Sequence, residues 1–317
     1  MKRSEAIALG AGALALAAQP ARAQTTAAPA PIRIGTLPIE SGGEAYYGDD
    51  LGFFRSAGLD AHVEAMSNAG ALVSAVIAGA IDVAPTNCVT MAQAFAKGLP
   101  VYYIAPGAVY SDQSPTTELA VANDSTYRTA KDLNGKRIAV LTLGGFLQVA
   151  AQNWLDLNGA DSKTVTFLEL PSSEIVAALQ AKRVDAAGLP EPFRSSAKTQ
   201  NSVRFIAAPY SSVGKHVMTS AWVANHAWVD ANPATVQRFI AALRTTAQWA
   251  NTHGRESAAV LSKYLRLPIA TIENMNHDPF GIRTDVSTIQ PIIDVCAKYN
   301  LIPHRFPATD LFAPNVS

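Results

Sequence analysis

Short apolar runs alternate with stretches of helical period from residue 32 onward. Residues 32–37 read as a strand, followed by a loop at 38–43. Residues 44–56 read as a helix with Tyr46, Tyr47, Leu51 and Phe54 on one face, and Gly58 is placed to end it. Strands are predicted at 59–64, 81–84 and 101–105. The Ser67-Asn68 pair should cap a helix through Leu72 and Val76, and a further helix runs to about residue 96. The same order then recurs. Strands fall at 136–141, 164–170 and 184–187. Helices open after Leu143-Gly144-Gly145 and after Pro171-Ser172-Ser173. Ala75, Ala78, Ile81, Asp82 and Ala84 match Ala178, Ala181, Val184, Asp185 and Ala187 in order and spacing. This pattern predicts two lobes of similar α/β design, each with a mainly parallel sheet. The last third is helical, with Asn232-Pro233 as one helix start and Asp285 as another.

Length agrees with this division, since 317 residues make roughly two domains at about 150 residues each. Hydrophobic residues make up 49% and charged residues 16%, the balance of a chain with a sizeable core. The formal charge is zero, with 25 basic and 25 acidic residues, so nothing steers the protein onto nucleic acid. The N-terminus changes that count. Lys2-Arg3, an apolar run at 6–18, Pro20 and Ala21-Arg22-Ala23 have the layout of a secretory signal peptide over residues 1–23. Its removal leaves 22 basic and 24 acidic residues, and a periplasmic location is expected. Residues 24–31 read as a proline-containing linker. Cys88 and Cys296 are expected to be buried free thiols.

Ligands on open parallel sheets bind beyond the carboxyl ends of the strands. Those ends give six loops, at 38–44, 66–70, 85–88, 142–145, 171–173 and 190–193. Most open a helix, so backbone N–H groups should face a ligand between the lobes. Arg194 is the only lysine or arginine immediately beside one of them, whereas Glu40, Glu44 and Glu191 are acidic. A strongly anionic ligand is therefore disfavoured. Glu40 and Glu44 could equally be solvated acids in a first helical turn. Glu191, between two prolines, reads as a pocket residue. Tyr46 and Tyr47 could stack on a ligand ring, although packing beneath the helix is the commoner fate. His62 and Glu64 share a strand face, a weak metal signal. No catalytic motif is recognisable, and no enzyme activity, metal or cofactor is expected.

The chain resembles substrate-binding proteins of the nitrate, sulfonate and taurine class of ABC importers, related to the thiamine-pyrimidine precursor binders. The resemblance rests on Ala45-Tyr46-Tyr47-Gly48-Asp49-Asp50-Leu51-Gly52-Phe53-Phe54-Arg55, Ala57-Gly58-Leu59, and Ala78-Gly79-Ala80-Ile81-Asp82-Val83. It continues through Lys131-Asp132-Leu133-Asn134-Gly135-Lys136-Arg137-Ile138 and Val184-Asp185-Ala186-Ala187-Gly188-Leu189-Pro190-Glu191-Pro192-Phe193. It implies a type II periplasmic-binding fold: two α/β lobes joined by a double-crossover hinge, lobe I at 32–117 and 213–317, lobe II at 118–212. It implies ligand loops at Glu40, Ser41 and Gly42, at Ser67 and Asn68, at Thr86 and Asn87, at Gly144 and Gly145, and at Glu191. Sulfonate and nitrate binders often carry a hydroxyl residue where this chain has Leu143-Gly144-Gly145, which argues against those ligands. The implied role is a monomeric receptor delivering a small organic solute to an inner-membrane ABC permease with its ATPase. The alternatives are a thiamine-pyrimidine synthase-like enzyme acting on a bound pyridoxal cofactor and a receptor for a membrane signalling protein.

Overall fold

The structure, a computed structural model, describes residues 28–314. The expected export signal at 1–23 and the first part of the linker lie outside the described residues. Sheet one contains β1 (Ala30–Thr36), β2 (Leu59–Ala65), β3 (Val83–Thr86) and β4 (Val101–Pro106). The chain then forms the short β5 (Val109–Ser111) and enters sheet two. That sheet contains β6 (Thr117–Ala122), β7 (Arg137–Val140), β8 (Thr166–Glu169), β9 (Ala186–Pro190) and β10 (Val203–Ala207). It returns through β11 (His216–Met218) to β12 (Ala221–Asn225). Sheet one runs β2-β1-β3-β12-β4 and sheet two β8-β7-β9-β6-β10. The orders correspond strand by strand. In each, three parallel strands come first, and one antiparallel strand, β12 or β6, joins them to the last. The antiparallel pair β5–β11 lies where the chain leaves and re-enters sheet one.

The recurring alanine pattern corresponds to a recurring contact. Asp82 accepts from the backbone N–H, Nε and Nη2 of Arg33 at 2.8, 3.1 and 2.6 Å. Asp185 accepts from the backbone N–H and Nε of Arg137 at 2.9 and 3.0 Å. Each aspartate thus ties the strand it precedes to the first parallel strand of its sheet. In both sheets the aspartate stands at the amino end of its strand, away from the loop that follows the strand.

Several local expectations need correcting. Strand β1 begins inside the expected linker, because Ala30 and Pro31 already pair with Leu59 and Asp60. The single helix expected at 44–56 is two, Gly43–Asp50 and Phe53–Ser56. Gly52 separates them at φ +73°, a conformation that costs glycine little, and Leu51 is exposed. Asn68 does cap its helix, accepting from Ala71 N at 2.9 Å. Asn232 holds the N-cap position before Pro233 as expected, but its side chain makes no cap bond; its amide donates to Trp228 O at 2.9 Å. The hydroxyls of Ser172 and Ser173 do not cap either, since Pro171 holds the N-cap position of helix Ser172–Gln180.

Helix Pro233–Ala250 buries Phe239, Ala242 and Leu243 against Ile32, Ile34 and Trp222 on one face of sheet one. The other face packs on helices Ala69–Ile77, Cys88–Ala96 and Gln290–Lys298. That cluster also takes in Phe146, Val149 and Ala150 of helix Phe146–Leu157, whose first turn follows a sheet-two loop. Burial of each large side chain contributes roughly 1.5–3 kcal/mol, so these layers set the separation of the two sheets. Cys88 and Cys296 are buried free thiols. Among the described residues, no helix is long and apolar enough to cross a membrane.

Candidate functional site

The facing edges of the two sheets line a cleft between them. Sheet one contributes the loop after β1, with Glu40, Ser41 and Gly42, and the end of β3, with Thr86 and Asn87. Sheet two contributes Leu141, Thr142 and Gly145 after β7, and Glu191 after β9. The loop after β1 is held by Thr36, whose hydroxyl donates to Gly42 O at 2.8 Å. A Cβ on Gly42 would meet the Leu37 carbonyl and come within 2.7 Å of that hydroxyl, so glycine keeps the loop closed on its strand. Asn87 caps helix Cys88–Ala96 by accepting from Thr90 N at 2.9 Å.

Seven of the ten expected site residues therefore come together: Glu40, Ser41, Gly42, Thr86, Asn87, Gly145 and Glu191. Ser67, Asn68 and Gly144 do not line the cleft. Asn68 and Gly144 lie instead at its lips, where the two halves touch. The Asn68 amide donates to Glu169 Oε1 at 3.0 Å, and Gln93 Nε2 donates to Gly144 O at 3.2 Å. Deeper in, Glu40 N donates to Glu191 O at 3.0 Å.

Sequence reasoning missed Thr116, Thr117, Thr219, Ser220 and Asp278, all of which line the cleft. Thr219 and Ser220 immediately precede the antiparallel strand β12, and Thr116 and Thr117 sit at the start of the antiparallel strand β6. The amino end of an antiparallel strand sits at the same sheet edge as the carboxyl ends of its parallel neighbours. A search of strand carboxyl ends passes over them, although paired hydroxyls at the start of two corresponding strands are visible in the chain. Asp278 has no such signal. It follows His277 in an irregular segment and is brought in by the packing of the C-terminal helices.

Glu40 and Glu44 are not solvated: each is 2% exposed. Glu44 Oε2 accepts from Trp222 Nε1 at 2.9 Å, and burial pushes its carboxyl up to about 8. Both carboxylate oxygens of Glu40 lack a hydrogen-bond partner. His277 Nδ1 stands 3.6 Å from Glu40 Oε1, an ion-pair contact only when the imidazole is protonated. Burial raises the Glu40 pKa and His277 partly offsets this. Burial alone would lower His277, but Glu40 more than reverses it. Asp278 is held by Thr116 Oγ1 at 2.8 Å and lies 3.5 Å from Thr219 Oγ1. Burial, then the nearby charge of Glu40, drives its pKa well above the carboxylate range.

Glu191 lines the cleft, but its carboxylate is occupied within the protein. It accepts from Arg194 Nη1, Ser195 Oγ and Ser195 N at 2.9–3.0 Å and from Asn276 N at 3.3 Å. Arg194 also pairs with Glu118 and is not free for a ligand. Tyr46 and Tyr47 pack away from the cleft, Tyr46 stacked on Tyr264 at 4.4 Å and Tyr47 beside Trp249. The lining thus combines hydroxyls, apolar side chains and carboxyl groups; among the described residues it includes no lysine, arginine, histidine or cysteine. That set can hold a small polar molecule.

Comparison with known proteins agrees with this architecture. A proposed binding protein of Brucella abortus is 25% identical over 257 residues, spanning 77% of this chain and 74% of that protein. The alkanesulfonate-binding protein SsuA of Xanthomonas axonopodis pv. citri, solved with MOPS, aligns at TM-score 0.77 and 21% identity, covering 90% of this chain and 99% of its own. The periplasmic nitrate-binding protein NrtA of Synechocystis PCC 6803 aligns at TM-score 0.74 and 16% identity, covering 88% and 84%. The fold also serves catalysis, since the desulfurization enzyme DszB aligns at TM-score 0.67 and 14% identity over 90% of this chain and 97% of its own. The fold is accordingly that of periplasmic binding proteins, two α/β halves with mainly parallel sheets. The model of the NMT1/THI5-like family matches residues 43–257, more than half of the sequence, and the chain belongs to that family.

Proposed function

We propose that the protein is a periplasmic solute-binding receptor that captures a small organic molecule between its lobes and delivers it to an ABC import permease. One observation carries this reading: the cleft is lined from both sheets, and hydrogen bonds bridge the two halves at its lips and deeper in. A small solute in such a cleft touches both halves at once, so its binding energy favours their approach. The division into lobe I at 32–117 and 213–317 and lobe II at 118–212 belongs to the same proposal. It is supported by the two chain crossings flanking β5 and β11. Export by residues 1–23 and a monomeric state are further parts of it.

The binding-protein neighbours are more similar in structure than DszB. A pyridoxal cofactor would find no lysine in the described lining with which to form a Schiff base. The neighbours' anions suit this cleft poorly, because its ionisable groups are carboxyls. The test is native mass spectrometry of the protein as purified, followed by a thermal-shift screen of small metabolites. A binder at about 100 times its Kd should add about 2.7 kcal/mol of stability. A protein that retains no solute and shifts with no compound would overturn the receptor reading.

A further inference from the structure

We infer that the cleft selects a solute bearing a protonated nitrogen, with its N–H groups held between Glu40 and Asp278. This rests on the receptor reading and specifies its substrate class. Glu40 carries the argument. It is 2% exposed, lines the cleft, and neither carboxylate oxygen has a hydrogen-bond partner. A buried carboxylate without partners is costly, and a ligand able to donate to it removes that cost. Asp278 is 4% exposed, lines the same cleft and is oriented by the Thr116 hydroxyl.

The protein's own cations make no hydrogen bond to Glu40. Arg194 spends its guanidinium on Glu118 and Glu191. His277 Nδ1, at 3.6 Å from Glu40 Oε1, is within ion-pair reach but beyond hydrogen-bond distance, so a ligand N–H of better geometry would displace it as the partner. A metal ion is the poorer occupant, because among the described residues no group of three or more His, Cys, Asp or Glu is arranged to hold one. A quaternary ammonium is also poorer, since it has no N–H to donate and prefers aromatic faces. The nearby rings of Phe146 and Tyr210 are stacked on each other at 4.2 Å. Leu37, Ile39, Leu141 and Leu147 give the rest of the solute an apolar surface. The implied ligand is a primary or secondary ammonium, an amidinium or a protonated nitrogen heterocycle on a small apolar body.

Isothermal titration with two matched sets tests this. The sets are hexylamine, hexyltrimethylammonium, hexanol and hexanesulfonate, and the benzyl compounds with the same four heads. The primary ammonium should bind roughly 10- to 100-fold more tightly than the alcohol, with the trimethylammonium and sulfonate weaker than the primary ammonium. Glu40→Gln and Asp278→Asn, both nearly isosteric, should each reduce that preference while leaving binding of the alcohol little changed. A sulfonate, alcohol or trimethylammonium equal to the primary ammonium would overturn the inference, as would a preference that survives both substitutions. A retained native solute that carries no protonated nitrogen would also overturn it and leave the receptor reading standing. A protein that binds nothing in any of these experiments would remove both.

Discussion

Glu44 shows how much one buried carboxyl can govern. Its Oε1 has no partner, its Oε2 accepts from Trp222, and burial holds its pKa at about 8. The unfolded chain releases that proton near the ordinary value of about 4.5. Between these two values the folded protein holds more protons than the unfolded one, so stability must fall as pH rises. Glu40 and Asp278, also raised, act in the same direction. The unliganded protein should therefore melt at a lower temperature at pH 8 than at pH 5. Glu44→Gln keeps an acceptor for the indole and removes the ionisation. It should raise stability at pH 8 by on the order of a few kcal/mol and flatten part of the slope. Calorimetric melting at the two pH values checks this; an unchanged slope in the variant would refute it. The sequence left Glu40 and Glu44 undecided between cleft and solvent. Amino-acid type cannot say which way a helix start faces, and here the C-terminal helices cover it.

At the scale of elements, the internal repeat was legible because it is local. The matched alanines and aspartates sit at fixed distances within helix–strand units, and both aspartates grip an arginine of the first strand. What was not legible depends on where the chain re-enters a sheet. Thr116, Thr117, Thr219 and Ser220 become cleft residues only because β6 and β12 insert antiparallel. No periodicity in the sequence records that direction. The two clasps should differ in worth. The Asp82 side chain is 8% exposed and that of Asp185 20%, with their arginines nearly equal. Asp82→Ala leaves the Arg33 N–H without its partner in the more buried site, at a cost of about 1–3 kcal/mol. Asp185→Ala should cost less, because water can reach Arg137 more easily. Urea denaturation of both variants measures this, and equal losses would contradict the burial argument. Ligand affinity should not change in either, since both aspartates precede their strands and neither clasp lines the cleft.

At the scale of the whole molecule, the proposed receptor role makes the cleft lips the control on how long a solute stays. Glu169 receives both a cross-cleft bond from Asn68 and one from Leu143 N at 2.9 Å on its own side. Replacing Asn68 would confuse closure with helix capping, because the same side chain caps helix Ala69–Ile77. Glu169→Ala separates the two. An exposed neutral-to-charged bond of this kind is worth roughly 0.5–1.5 kcal/mol, so its loss should shift the closed-to-open balance by about 2- to 10-fold. On that reading capture begins with the lips apart, so the association rate should stay unchanged. Release requires the lips to part, so dissociation should accelerate by that same factor. The radius of gyration of the unliganded variant, from small-angle scattering, should move toward that of the open form. Stopped-flow measurements with the solute retained by the purified protein separate the two rates. A slower association with unchanged dissociation would mean that Glu169 acts on the entering solute and not on closure. Unchanged rates would mean that the remaining bridges, Gln93 to Gly144 and Glu40 to Glu191, suffice to hold the cleft.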